Sequence, residues 1–259
     1  MTSEEADTVY ERAVELTESN KSEEALPYYR RAVQLSPDDD ALHHDFALAL
    51  SECGLEKEAY FEYREAVRLN PENSDAFHNI GVILEERGEY VEAIEAYRSS
   101  IAINPSADTF NQLGLALSKL ERDEEAITAY SEAMTLDLSD DASAFNLGNL
   151  LMRLQKPKEA EVAYREATQR QPEASKNWNN LGGALSKQEK DMEAAEAYLE
   201  GLRQAPHDPE IRFNLAHCFA LYGSWDTARG LLESAKPHAD PSLQSDIKRL
   251  MERIDEDSL

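Results

Sequence analysis

The chain has 259 residues, 41% hydrophobic and 30% charged, with only 10 Gly and 10 Pro, a composition expected of a soluble, structured, helix-rich protein. Its net charge of −26, from 26 basic against 52 acidic residues, sets it against nucleic acid and anionic membrane surfaces, which demand clusters of Lys and Arg. Apolar runs such as 46–50 fall short of the roughly 18–20 residues of a membrane span, and the start MTSEEAD lacks the features of a secretory signal, so no membrane insertion and a cytoplasmic location are expected.

Along the chain, Pro37, Pro71 and Pro105 lie 34 residues apart, and Pro172 and Pro206 repeat the interval. Ahead of each proline stands a recurring core: Ala25, Tyr29, Ala32; Ala59, Tyr63, Ala66; Ala93, Tyr97, Ser100; Ala126, Tyr130, Ala133; Ala160, Tyr164, Ala167; and Ala194, Tyr198, Gly201, fading at Ala228, Leu232, Ala235. Earlier in each unit a second series falls at i, i+3, i+4, i+7, as in Phe77, Ile80, Gly81, Leu84 and in Trp178, Leu181, Gly182, Leu185. Both spacings trace one face of a helix. Each unit is therefore predicted to be two antiparallel helices, the second stopped by proline.

The units run 6–39, 40–73, 74–106, 107–140, 141–174, 175–208 and 209–240, and 242–254 (SLQSDIKRLMERI) reads as an amphipathic capping helix. The third unit is one residue short in the 104–108 loop, the fourth has Leu138 in place of its proline, and the seventh has Pro237 early; the end DEDSL reads as frayed. Small residues hold one place in successive units: Ala13, Ala47, Gly81, Gly114, Gly148, Gly182 and Ala216. Helices that approach toward 8 Å need small side chains at the crossing, which explains glycine inside NWNNLGGAL (177–185) despite its poor helix propensity. Cys53 and Cys218 show neither metal-ligand spacing nor a disulfide framework and are expected to behave as small apolar residues.

This pattern resembles the tetratricopeptide repeat (TPR), with its W-x2-L-G-x2-Y, A-x3-F and P positions, over about nine-tenths of the chain. The resemblance implies an all-α, right-handed superhelical solenoid of about seven helix–turn–helix repeats plus the capping helix, forming a single domain over 1–259. Its concave groove would be lined by places 2, 5, 6, 9, 12 and 13 of each unit. Place 6 reads Glu11, Asp45, Asn79, Gln112, Asn146, Asn180 and Asn214, and each amide carries both a donor and an acceptor suited to the backbone of an extended peptide. The TPR array of O-GlcNAc transferases carries a similar asparagine ladder, here without a catalytic domain. Asn149, Phe145, Phe213 and His217 would join that lining, with the cations Lys119, Arg153, Lys176 and Lys187. The charged lining residues of the first three units are carboxylates, among them Glu11, Glu18, Asp45, Glu52, Glu85 and Glu86, with no Lys or Arg, so a bound segment is expected to be basic there and acidic at units five and six.

No nucleotide-binding, hydrolase, zinc-protease or redox motif occurs, and no catalytic residue, metal or cofactor is expected. His44 and His78, equivalent in adjacent units and flanked by Asp45 and Asp75, are expected to line the groove without a metal. TPR domains that hold the acidic C-terminus of heat-shock chaperones use a set of cations that this chain lacks: Phe145, Glu210 and Asn214 stand in three of their places. The expected function is a non-enzymatic scaffold or adaptor that binds a segment of another protein. The alternatives are a regulatory or substrate-recruiting subunit of an enzyme such as a glycosyltransferase, and a self-assembling scaffold.

Overall fold

The computed structural model describes residues 3–257, and all regular structure among them is helical. Fourteen helices alternate as first and second members of the repeats: α1 (Ser3–Glu18), α2 (Ser22–Leu35), α3 (Asp40–Glu52), α4 (Glu56–Leu69), α5 (Ser74–Glu86), α6 (Tyr90–Ile103), α7 (Ala107–Lys119), α8 (Asp123–Leu136), α9 (Ala142–Arg153), α10 (Pro157–Arg170), α11 (Ser175–Ser186), α12 (Asp191–Gln204), α13 (Pro209–Leu221) and α14 (Trp225–Ala235). A single 3-10 turn at Lys236–His238, opened by Pro237, leads into α15 (Pro241–Asp257). Residues 255–257 of the supposedly frayed end are therefore helical, and Ser258 and Leu259 lie outside the described residues. No described helix is long and apolar enough to cross a membrane.

Four of the first helices, α3, α5, α7 and α13, begin where the sequence supplies a side-chain cap. Asp39, Asn73, Ser106 and Asp208 accept a hydrogen bond from the backbone N–H three residues on, at 3.1, 2.9, 3.2 and 3.0 Å. Each such cap contributes about 1 kcal/mol. Each turn within a repeat places one residue in the left-handed region, always in the same column: Asn20, Gly54, Gly88, Glu121, Gln155, Glu189 and Gly223, with φ between 56° and 75°. The next residue's N–H then reaches back to the helix, as in Lys156 to the Leu151 carbonyl at 2.9 Å and Ser224 to that of Phe219 at 2.9 Å.

The described chain divides into two compact units, Met1–Ala129 and Tyr130–Leu259, the division falling inside α8. Successive helices pack on one another from α1 to α7 and from α9 to α15, and first helices also touch one another directly: α1 with α3, α5 with α7, α9 with α11, α11 with α13. No pair of second helices packs to a comparable extent among the described residues, so the first helices occupy the inner side of each unit's curvature. Second helices contribute a column of buried tyrosines, Tyr29, Tyr63 and Tyr97 in one unit and Tyr130, Tyr164 and Tyr198 in the other. The glycine column exists for these rings. A Cβ built at Gly81 would lie 2.5 Å from Cε1 of Tyr97, and one at Gly182 would lie 2.5 Å from Cε1 of Tyr198. In the second unit, α13, α14 and α15 close around Ala216, Leu232, Ile247 and Ile254.

Where the fourth repeat lacks its proline, an arginine takes over. The Arg170 side chain, 6% exposed, donates to the carbonyls of Met134 (3.0 Å), Asp137 (2.7 Å) and Asp140 (3.0 Å) and pairs with Glu166 at 2.9 Å. Asn177, buried in α11, adds a bond to Asp141 at 2.6 Å and one to the Ala167 carbonyl at 3.2 Å. Side chains from the following helices thus hold the 137–141 loop.

In the first unit, buried His43 places Nδ1 2.5 Å from Glu62 and Nε2 3.0 Å from the Pro37 carbonyl. Both neighbours are acceptors, so only the doubly protonated ring satisfies both. The bond to Glu62 accordingly raises the His43 pKa, against the opposing effect of burial. A raised folded-state pKa stabilises fully below the unfolded value of about 6.5, and the contribution is lost as pH rises through the folded value. Amide hydrogen exchange in α3 and α4 is expected to be faster at pH 8.5 than at pH 6 after correction for intrinsic rates, and His43→Gln is expected to remove that difference. An unchanged difference in the variant would assign it to other groups.

Candidate functional site

The inner face of the second unit is built by α9, α11 and α13. On α9, Asn149 is exposed, and its Oδ1 accepts from the Tyr164 hydroxyl at 2.7 Å and from Nδ2 of Asn180 at 2.9 Å. The Tyr164 hydroxyl is itself pushed up to about 12, chiefly by burial, so it stays a proton donor at any physiological pH. One repeat further on, Nδ2 of Asn214 donates to Oδ1 of Asn179 at 3.0 Å, and Asn179 donates to Glu210 at 3.4 Å. The amides are thus linked in cross-repeat pairs, Asn149 with Asn180 and Asn179 with Asn214. Those bonds fix their orientation while leaving both N–H donors of Asn149 and the Asn180 carbonyl uncommitted among the described residues.

Beside the first pair lies an apolar cavity of about 420 Å³ between the N-terminal ends of α9 and α11, lined by Ala142, Phe145, Ala174 and Lys176 with Asp141 and Glu173 at its edge. Phe145 is partly buried and meets Tyr164 edge-on, with ring centroids 6.2 Å apart. Lys176 and Lys187 are exposed at the two ends of α11, about 16 Å apart along its axis, and neither has a carboxylate partner among the described residues. Arg153 is exposed at the end of α9, one repeat before Lys187, and Asn146 is half-buried on the same helix.

The other expected lining residues have different neighbours. Phe213 packs against the C-terminal core, and His217 lines a separate cavity of about 220 Å³ with Trp225, Leu250 and Arg253. Burial, reinforced by the Arg253 charge, lowers the His217 pKa, so the ring is neutral at pH 7. Asn79, Gln112 and Lys119 belong to the first unit: the two amides are half-buried on α5 and α7, and Lys119 is exposed at the end of α7. His78 bonds Thr109 at 2.9 Å and faces Asp108 at 3.4 Å, while His44 lies 3.5 Å from the Asn73 amide. No group of three or more His, Cys, Asp or Glu side chains among the described residues is arranged to hold a metal ion.

Sequence reasoning missed Asn177 and Asn179. From the second repeat on, the column of Asn177 reads Leu42, Ala76, Thr109, Ser143, Asn177, Ile211 and is buried at each place, so a full amide there signalled a required hydrogen bond. Asn179 carried no such signal, since its column is mixed.

Curved layers of paired helices that present an inner row of amides define a helix-repeat array. Sequence profiles described as tetratricopeptide repeat match residues 6–39, 74–106, 107–140, 145–209 and 187–254. The chain belongs to the tetratricopeptide repeat family. No curated protein sequence matches it. Among solved structures it is similar to the C-terminal part of a TPR repeat-containing protein from Cytophaga hutchinsonii, at 15% identity and a TM-score of 0.77 over 91% of this chain and 98% of that one. It is also similar to YrrB, described as a TPR protein with an unusual peptide-binding site, at 22% identity and a TM-score of 0.61 over 71% of this chain and 95% of that one. A third likeness is to MamA, at 19% identity and a TM-score of 0.59 over 64% and 91%. At these identities the likeness shows the fold.

Proposed function

We propose that the protein is a non-enzymatic interaction scaffold that binds an extended segment of another protein along the inner face of α9, α11 and α13. The observation that carries this reading is the pre-oriented pair Asn149–Asn180 beside the Phe145 cavity and Lys176. Asn149 offers N–H donors and Asn180 an acceptor to a peptide backbone, and neither amide must be reoriented on binding. An apolar side chain fits the cavity against Phe145, and an acidic neighbour is drawn to Lys176 and Lys187. The peptide-binding site named for YrrB, on a similar fold, supports the same reading.

The test is selection of displayed random peptides on the immobilised full chain, followed by titration of those recovered. They are expected to pair an apolar residue with Asp or Glu. Asn149→Ala with Asn180→Ala is expected to weaken them by about 1 kcal/mol per residue with little salt dependence. Lys176→Glu with Lys187→Glu is expected to weaken them most at low ionic strength, where screening is least. Peptides that bind both double variants like the wild type would remove the site from this face.

A further inference from the structure

The inner face of the first unit has a different chemistry. On α1, α3, α5 and α7 the residues turned away from the core include an apolar file, Val14, Leu48, Val82 and Leu115, one per repeat; Leu48 is 41% exposed and the others are partly exposed. One helical turn on from each of the first three stands a carboxylate, Glu18, Glu52 and Glu86, all exposed, and three residues before the first two stand Glu11 and Asp45. Carboxylates therefore border the apolar file on both sides.

None of these five carboxylates has a Lys or Arg partner among the described residues, although the unit holds many cations. Several arginines of the unit are engaged elsewhere, Arg12 with Glu15, Arg30 with Glu58, Arg68 with Glu65, and Arg98 and Arg122 with Glu125, while in the fourth repeat the border position one turn after Leu115 is held by a cation, Lys119. Asp45 accepts only from the Tyr10 hydroxyl at 2.6 Å, and Glu52 only from Ser22. Next to Glu86, Glu85 has its pKa raised by burial, against the opposing effects of its bond from the Tyr97 hydroxyl and of the Lys119 charge, with a smaller upward push from Glu86. The face thus concentrates negative charge around exposed apolar side chains.

We infer that this face docks a segment of another protein rich in Lys and Arg, with apolar side chains set between its cations. The inference rests on the reading that first-helix faces bind extended segments, and it names the chemistry that the first unit selects. Charge complementarity decides the occupant. A second copy of this chain, at −26, is repelled, as is nucleic acid. A bare metal ion finds no group of three ligands among the described residues and makes no use of the apolar file. First helices spaced by about 8–10 Å match one turn of a polyproline II segment, three residues at about 3.1 Å each, which returns every third side chain to the same face, so a repeating cation–apolar–cation triplet fits the file.

The experiment is fluorescence anisotropy of the intact protein with a labelled peptide of Lys-Leu-Arg triplets, and with its Lys-Ser-Arg counterpart. The leucine peptide is expected to bind about tenfold tighter than the serine one, because its apolar side chains are buried on docking. Glu18→Lys, Glu52→Lys and Glu86→Lys together are expected to weaken it about tenfold or more, most strongly at low salt. Leu48→Ser, at an exposed site that cannot unfold the chain, is expected to cost about fivefold. The control Glu72→Lys, in the loop after α4, with Glu92→Lys and Glu95→Lys on α6 makes the same change in net charge and is expected to shift binding less than about twofold. Equal losses in the inner and control triple variants, or wild-type binding in the inner one, would overturn the inference, as would binding that Asn149→Ala with Asn180→Ala abolishes. Failure to recover acidic peptides on the second unit would leave this result standing and strike only the function proposed for that unit.

Discussion

Arg170→Ala is expected to lower the stability of the Tyr130–Leu259 unit by about 3 kcal/mol. The substitution removes donors from the carbonyls of Met134, Asp137 and Asp140, and it strips Glu166 of its partner. Because the guanidinium is almost fully buried, water does not simply replace it, and the carbonyls lose satisfaction as well as attraction. Arg170→Lys is expected to recover little, since a single ammonium group cannot reproduce the planar fork that reaches three separate oxygens. Urea unfolding of both variants checks this. A loss under 1 kcal/mol for Arg170→Ala would mean that the 137–141 loop is held by Asn177 and its own turn alone.

The second large effect is at the glycine column. Gly182→Leu is expected to cost about 3 kcal/mol, the upper end of overpacking, because even its first side-chain atom would overlap the Tyr198 ring. Tyr198 is 3% exposed and has no open space to swing into. The adjacent residue supplies the control. A Cβ at Gly183 meets nothing within 4 Å, so Gly183→Ala is expected to stabilise α11 by about 0.5–1 kcal/mol through helix propensity. Thermal denaturation of the two variants reads opposite signs from neighbouring positions on one helix. Shifts of the same sign would refute the assignment of Gly182 to close packing.

The stretch 177–185 shows how much was legible beforehand. Its leucines and Gly182 announce a helix face and a close crossing through columns that recur every 34 residues, and the structure supplies Tyr198 as the reason. The asparagines were legible only as a column. A column states which side chains are neighbours, but their hydrogen bonds depend on rotamers and on the spacing between helices. Thus Asn180 pairs with Asn149 at a sequence separation of 31, and Asn177 turns inward to Asp141 at a separation of 36. The same limit hid Arg170, whose partners lie 30 to 36 residues earlier, and the packing of Phe213 on a core completed by α15. Pro37, Pro71 and Pro105 were visible because each acts on its own backbone; Arg170 was not, because it acts on another repeat's.

On the outer helices, Arg30 reaches Glu58 at a separation of 28, Arg98 reaches Glu125 at 27 across the shortened third repeat, and Arg165 reaches Glu193 at 28. Each of these exposed pairs is worth little in stability. Their shared geometry matters for ancestry. A tandem duplication of one complete repeat would give a paired arginine such as Arg30 a glutamate at its usual distance, whereas a partial copy would leave it facing another residue. Stacked helices gain or lose their mutual contacts one whole repeat at a time, and homologous chains of different length are expected to differ by multiples of about 34 residues.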